Sequence, residues 1–259
     1  MSTTPAEVLR WSVSGGVATL ELNRPEKKNA LNRALVEALL AGLAAAAADS
    51  GVRVVAIRGA GPDFCAGADL EELERTSRLS EAENLADARR IGALFTALRR
   101  HPHPVVAVVT GRAVAGGAGL ATACDLVLAQ ERAELGYPEV HLGFVPALVM
   151  TILRRKVPEA VAFDLVARGQ RIGAMEAERL GLVRVLPEPF QAEVERYLGE
   201  LAALPPSAVA LTKALLYELG ELGFDEGMER AAQVNVEARA TEACRDGVRH
   251  FLERSRKRG

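Results

Sequence analysis

Cysteine is scarce in this sequence, and the three present, Cys65, Cys124 and Cys244, are odd in number and far apart. That arrangement excludes a disulfide framework and has no metal-ligand spacing, so they read as reduced thiols in ordinary packing. Net charge is nearly absent as well, at −2 with an isoelectric point near 6.2. Such a chain offers no field that would attract nucleic acid. Aromatic residues are only 4% of the total and do not interleave with basic ones, which removes the usual stacking surface for RNA. No run of about 18 apolar residues occurs, and no basic stretch followed by an apolar one stands near the start. The expectation is therefore no membrane span, no export and a cytoplasmic location. What is present is 49% hydrophobic and 25% charged residues over 259 positions, a globular composition that suffices for one large α/β domain or a domain with a helical annex.

The most informative stretch runs from Val105 to Ala129. Val105 to Val109 is short, apolar and rich in β-branched residues, as a buried strand would be, and Ala118 to Cys124 is small and apolar enough for a closely packed helix. Between them the chain is almost entirely Gly and Ala. Gly116, Gly117 and Gly119 remove the side-chain bulk that would keep another atom from the backbone. A free N–H at a helix start favours an anion or a carbonyl gaining negative charge, so Gly116 and Gly117 read as an oxyanion-binding turn. The same glycines would also serve merely to bring a helix close to a sheet. Two phosphate turns are excluded: no Gly-Lys-Ser/Thr follows Gly111, and Gly117-Ala118-Gly119 leads to Thr122 where a dinucleotide turn needs Gly or Ala.

Along the chain, Leu9 to Ser14 and Val17 to Leu22 flank a Gly15-Gly16 hairpin signal, and Asn32 caps a helix with Leu35, Leu39 and Leu43 at helical spacing. Lys27 and Lys28 lie in a charged loop and read as solvated. Val52 to Ile57 is a strand leading into a second small-residue loop, Gly59 to Leu70, which opens onto a helix-like segment and offers a second backbone donor. Ser80 with Glu83 makes a capping box for a helix to about Arg100, and His101 and His103, each before a proline, read as surface. Glu139 stands in a turn before the apolar run Val140 to Pro146, where a desolvated carboxylate would have the raised pKa of a general base. Arg154, Arg155 and Lys156 read as a solvated face. From Glu188 onward the pattern is helical only, so the expected organisation is a βαβ core over 1–187 and a helical subdomain over 188–259.

Five segments in order carry a resemblance: NRPEKKNALN from Asn23, FCAGADL from Phe64, GRAVAGGAGLATACDL from Gly111, GYPEVHLGFVP from Gly136 and GQRIGAMEAERLGLVRVL from Gly169. Together they resemble the enoyl-CoA hydratase/isomerase family, the crotonase superfamily. The resemblance implies an α/β fold, a spiral of βαβ units with C-terminal helices, commonly assembled as a homotrimer or a homohexamer. It implies an acyl-CoA thioester as substrate, with coenzyme A part of that substrate and no separate cofactor, and a place in fatty acid metabolism. The thioester oxygen would sit between the N–H groups of Ala68 and Gly116, each worth roughly 3 to 4 kcal/mol at the enolate-like transition state. Ala66, Ala68, Asp69 and Leu70 would line the adenine and pantetheine path, with Gly116, Gly117 and Gly119 opposite and Lys28 near the CoA phosphates.

One departure from the family pattern bears on the chemistry. Two-carboxylate hydratases of this family carry a Glu in the glycine-rich helix and a second after the Pro of the later turn. Here the second is Glu139, and the first position is Gly119. Asp69 and Glu71 read as groups that cap or charge their own helix. The expected activity is a hydratase-type lyase in which Glu139 alone handles the proton. The alternative is a Δ3,Δ2-enoyl-CoA isomerase using the same Glu139, and a remote one is a non-catalytic protein that binds acyl-CoA or RNA.

Overall fold

At Gly15 (φ 56°) and Gly16 (φ 79°) the chain adopts two successive left-handed conformations, the turn that joins strands of matching twist. This pairs β1 (Leu9–Ser14) antiparallel with β2 (Val17–Leu22), as the sequence predicts. The computed structural model describes residues 7–76 and 78–256. β2 then pairs in parallel with β3 (Val54–Gly59), and β4 (Val105–Val109), β6 (Leu126–Gln130) and β9 (Arg184–Leu186) follow in parallel, giving one sheet in the order β1-β2-β3-β4-β6-β9.

Both faces of this sheet are covered, which is why β4 is apolar at every position. Val105, Ala107 and Val109 point into the larger core, against Leu35 and Leu39 of α1 (Arg33–Ala48) and Leu94 and Leu98 of α3 (Glu81–Arg100). Val106 and Val108 point the other way, onto Phe190, Val194 and Leu198 of α8 (Phe190–Ala202). The helix that begins the expected C-terminal subdomain is therefore packed on the core sheet.

The caps form where the residue types put them. The Asn32 side chain accepts from the Leu35 N–H at 2.9 Å, and Ser80 with Glu83 completes a capping box. A short α2 (Leu70–Thr76) precedes α3. α4 (Gly116–Ala123) starts at Gly116, two residues earlier than its composition suggests. A second sheet, which the sequence reading missed in part, joins β5 (Arg112–Val114), β7 (Glu134–Gly136) and β8 (Arg171–Gly173) in the order β5-β7-β8. Then α5 (Ala147–Leu153), α6 (Glu159–Arg168) and α7 (Ala174–Arg179) lead into β9.

The chain ends in α9 (Pro206–Leu219), α10 (Phe224–Ala240) and α11 (Glu242–Arg256). α9 is tied to the start of β6 by a buried polar cluster. Lys213 Nζ lies 2.7 Å from Asp125 Oδ2, and Tyr217 donates its hydroxyl to Asp125 Oδ1 at 2.5 Å. Two expectations are corrected here. Lys156 is not on a solvated face: its ammonium donates to the carbonyls of Cys124 (2.9 Å) and Asp125 (3.1 Å), and burial lowers its pKa. His101 is not surface either. It is buried, its Nε2 lies 3.0 Å from the Leu43 carbonyl, and desolvation lowers its pKa, which suits a neutral ring that ties α1 to the end of α3.

Candidate active site

Two backbone segments meet at Gly67 and Gly116. Leu31 forms a parallel bridge with Ala68, in which Leu31 N–H donates to Gly67 O at 2.7 Å and Asp69 N–H to Leu31 O at 2.9 Å. Alternation along an extended segment then directs the N–H of Ala68 away from Leu31. Gly116 is the first residue of α4, where N–H groups have no partner within the helix. A Cβ on Gly116 would lie 3.8 Å from the Ala68 nitrogen, so both donors border the same small space.

The approach is close enough to dictate residue type. Gly67 has φ +101°, and a Cβ there would stand 2.9 Å from both Ala115 Cβ and Val114 O. Gly117 lies against the Cys65 carbonyl with no room for a side chain. Ala115 carries a left-handed φ of 51° without being glycine, a conformation that costs about 1 to 3 kcal/mol and is held by β5 and β7, with Ala115 N–H on Gly136 O at 2.8 Å. The short sheet thus aims the start of α4.

Glu139 follows Tyr137 and Pro138 on a single 3₁₀ turn (Pro138–Leu142) closed by Gly143 at φ 69°. Tyr137 is wholly buried, and its hydroxyl lies 2.7 Å from Thr122 Oγ1 of α4, so the turn is registered to the helix that presents Gly116. Glu139 is 8% exposed, and its Oε2 is buried with no hydrogen-bond partner among the described residues. Burial raises its pKa above the usual 4.5, opposed by its own backbone N–H. A carboxylate so placed has an atom free for a proton and a reason to accept one.

The remaining candidates are distributed around this pair. Asp69 caps α2: its Oδ1 accepts from Glu71 N–H at 3.0 Å and its Oδ2 from Arg24 at 2.7 Å, so its buried side chain faces inward and is already satisfied. Its pKa is lowered by the Arg24 and Glu71 bonds, against the raising effect of burial. Glu71 pairs with Lys27 at 2.6 Å and Glu72 with Arg75 at 2.7 Å, which leaves neither as a spare acid. Lys28 is exposed, and its carbonyl accepts from Ala66 N–H at 3.0 Å, which places it on the same rim as Ala66. Leu70 begins α2, and its side chain lies outside the described residues. Cys65 and Cys124 are buried thiols pushed up to about 12 by desolvation, inert as nucleophiles.

Gly119 is buried, and a Cβ there would stand 2.6 Å from Val149 Cγ2 and 3.1 Å from Phe95 Cζ. A carboxylate at 119 would have to displace both. Phe95 carries no sequence signal for this role, since it reads as ordinary core on its own helix. Against known proteins, a profile described as Enoyl-CoA hydratase/isomerase matches residues 12–258. The chain belongs to that family. A protein of Thermus thermophilus carrying the provisional name enoyl-CoA hydratase is 44% identical over 242 residues, covering 93% of this chain and 96% of that one. The 2,3-dehydroadipyl-CoA hydratase of Escherichia coli is 35% identical over 241 residues, covering 92% of each. The crystal structure of an enoyl-CoA hydratase from Mycobacterium smegmatis superposes with a TM-score of 0.90 at 32% identity, over 95% of this chain and 96% of that one. As a member of the enoyl-CoA hydratase/isomerase family the chain has the crotonase fold that its sequence motifs suggest, and no described helix is long and apolar enough to cross a membrane.

Proposed function

We propose that this chain is a hydratase-type lyase acting on a 2-enoyl-CoA, with the N–H groups of Ala68 and Gly116 on the thioester oxygen and Glu139 as the acid/base. The observation that carries this reading is the unpartnered, desolvated carboxylate of Glu139, held by Tyr137 and Thr122 in register with the helix that starts at Gly116. In the forward direction Glu139 takes a proton from water as its oxygen bonds to C3, and electron density moves through C2 onto the thioester oxygen. The same carboxyl then returns the proton to C2. The donors stabilise the charge only as it develops, which is what lowers the barrier.

The apolar packing of Val149 and Phe95 on Gly119 favours a second reading. With no acid on that side, Glu139 could instead move a proton from C2 to C4 of a 3-enoyl-CoA, as an isomerase. Crotonyl-CoA and a 3-enoyl-CoA incubated in 18O-labelled water, with mass spectrometry of the thioesters, separate the two. Label in a 3-hydroxyacyl-CoA is the expected result, and a moved double bond without label would replace the lyase by the isomerase.

The pH dependence follows from the sign of the shift. The reaction needs the Glu139 carboxylate, and burial raises its pKa, so kcat/KM is expected to fall with decreasing pH through a midpoint above 4.5. A midpoint at or below 4.5 would remove Glu139 from the role. Exposed apolar side chains at Leu142 (76%), Phe163 (71%) and Phe224 (82%) support assembly into a homotrimer or homohexamer, which we include in the proposal together with a cytoplasmic location.

A further inference from the structure

Arg24 is a nearly buried cation, its side chain 12% exposed, and the chemistry above makes no use of it. It opens a turn that holds two strained residues. Lys28 (φ 52°) and Asn29 (φ 55°) are successive left-handed positions, neither of them glycine, and such conformations persist only where the surroundings impose them. Asn29 is wholly buried and is held on every side: its Oδ1 accepts from Arg24 N–H at 3.0 Å, and its Nδ2 donates to the carbonyls of Ala60 and Asp63 at 2.9 Å each. Its own N–H closes the turn on Arg24 O at 2.8 Å. The backbone from which the Arg24 side chain departs is therefore fixed.

The guanidinium spans the two segments that meet at the Leu31 and Ala68 bridge. Nη1 donates to Ala30 O at 2.5 Å, on the residue before Leu31, and Nη2 donates to Asp69 Oδ2 at 2.7 Å, on the residue after Ala68. Asp69 is anchored at its other oxygen too, by Glu71 N–H at 3.0 Å. Between these points lies the peptide that joins Gly67 to Ala68. Its carbonyl accepts from Leu31 N–H at 2.7 Å, and in a trans peptide the N–H points the opposite way, so the tilt of this one plane sets the direction of the Ala68 donor. The two-pronged grip of Arg24 fixes the spacing and register of the segments that hold the plane.

We propose that Arg24 is a positioning residue of the reaction: by clasping Ala30 O and Asp69 across the bridge, it keeps the Ala68 N–H directed at the thioester oxygen. The proposal deepens the thioester reading of Ala68, Gly116 and Glu139 and rests on it.

The test pairs kinetics with the infrared spectrum of bound butyryl-CoA labelled with 13C at its carbonyl, a saturated thioester that cannot be hydrated. In the unaltered protein the bound C=O stretch is expected below its position in water, as two donors require. In Arg24→Met it should return part of the way, and kcat should fall about ten- to a hundredfold, less than the roughly hundred- to thousandfold that losing a whole donor costs. KM should stay within a fewfold, because the donor acts mainly on charge that develops in the transition state. Arg24→Lys keeps a cation for Asp69 without the planar fork, and is the milder variant should Arg24→Met not fold. It is expected to show the same changes in smaller degree. A purely structural Arg24 would lower Tm and the folded fraction but leave the bound stretch and the kcat per binding site unchanged in both variants, which overturns the proposal. Restored kcat in Arg24→Met/Asp69→Asn would overturn it as well, since neutralising Asp69 would then be the whole role of Arg24. A bound stretch that is lowered in every variant alike overturns the clasp and spares the oxyanion reading, whereas no lowering in the unaltered protein overturns both.

Discussion

Replacing Glu139 by Gln is expected to lower kcat by about a thousandfold, within the range that a positioned general acid/base contributes, while acyl-CoA binding stays within a fewfold. The thioester oxygen is bound by backbone N–H groups, which the substitution does not touch. Stability should move the other way. Oε2 of Glu139 is buried without a partner, so the ionised group is costly to the folded state, and a neutral amide of the same shape relieves that cost. Linkage gives a further signature. Because the folded pKa is raised above 4.5, the folded state binds the proton more tightly, and the stability of the unaltered protein should fall as pH rises from 4.5 through the raised value. The Gln variant should lack that fall. Steady-state kinetics, calorimetric binding of an acyl-CoA and thermal melts across pH check the set together. Unchanged turnover in a folded variant would end the assignment of Glu139.

Gly117→Ala is expected to have a large effect on stability, about 3 kcal/mol or more. The added methyl would overlap the Cys65 carbonyl and stand 2.9 Å from Cys65 Cβ, and carbonyl and helix are both held by the main chain. Val114 N–H bonds the same Cys65 oxygen at 3.0 Å, so relief requires parting β5 from the loop that presents Ala68. For a chain of this size the loss corresponds to a fall in Tm of roughly 6 to 12 °C. Activity should fall as well in the folded fraction, because the separation opened at Gly117 also spreads Gly116 from Ala68. A variant with unchanged Tm and turnover would show that the two segments yield more freely than their contacts indicate. By contrast, Gly143→Ala meets nothing within 4 Å and suffers only from its φ of 69°, so it separates backbone strain from overlap.

The single carboxylate gives the two activities a common physical basis. In both proposed reactions the oxyanion pair carries the charge, and one group moves the proton. What differs is whether water or C4 takes part. The packing of Val149 and Phe95 on Gly119 leaves no ready room for a side chain at that position, and this holds regardless of which product forms.

Much of the architecture was legible because its causes are local. Gly15-Gly16 needs only two left-handed residues to make a hairpin, Asn32 and Ser80 need only their own helix starts to act as caps, and the all-apolar Val105 to Val109 announces a strand covered on both faces. The glycines at 116 and 117 likewise mark a backbone that something approaches closely. Short strands were harder: β5 and β8 have three residues each, too few to show a period, and exist because β7 lies between them.

Burial of polar groups was the part that sequence could not settle. His101 and Lys156 carry residue types that usually face water, yet each is covered by elements distant in the chain and matched there to carbonyls of Leu43, Cys124 and Asp125. The same holds for the site. The sequence by itself determined the family, the order of the longer elements, the glycine-rich turns as candidate donors and the presence of one candidate acid at 139. Only the tertiary structure decided that this acid is desolvated, that Tyr137 and Thr122 register it to α4, and that Phe95 and Val149 close the space beside Gly119. Those outcomes depend on which side chains meet across the fold, and a side chain's solvation is set by its neighbours in space, which local residue patterns do not encode.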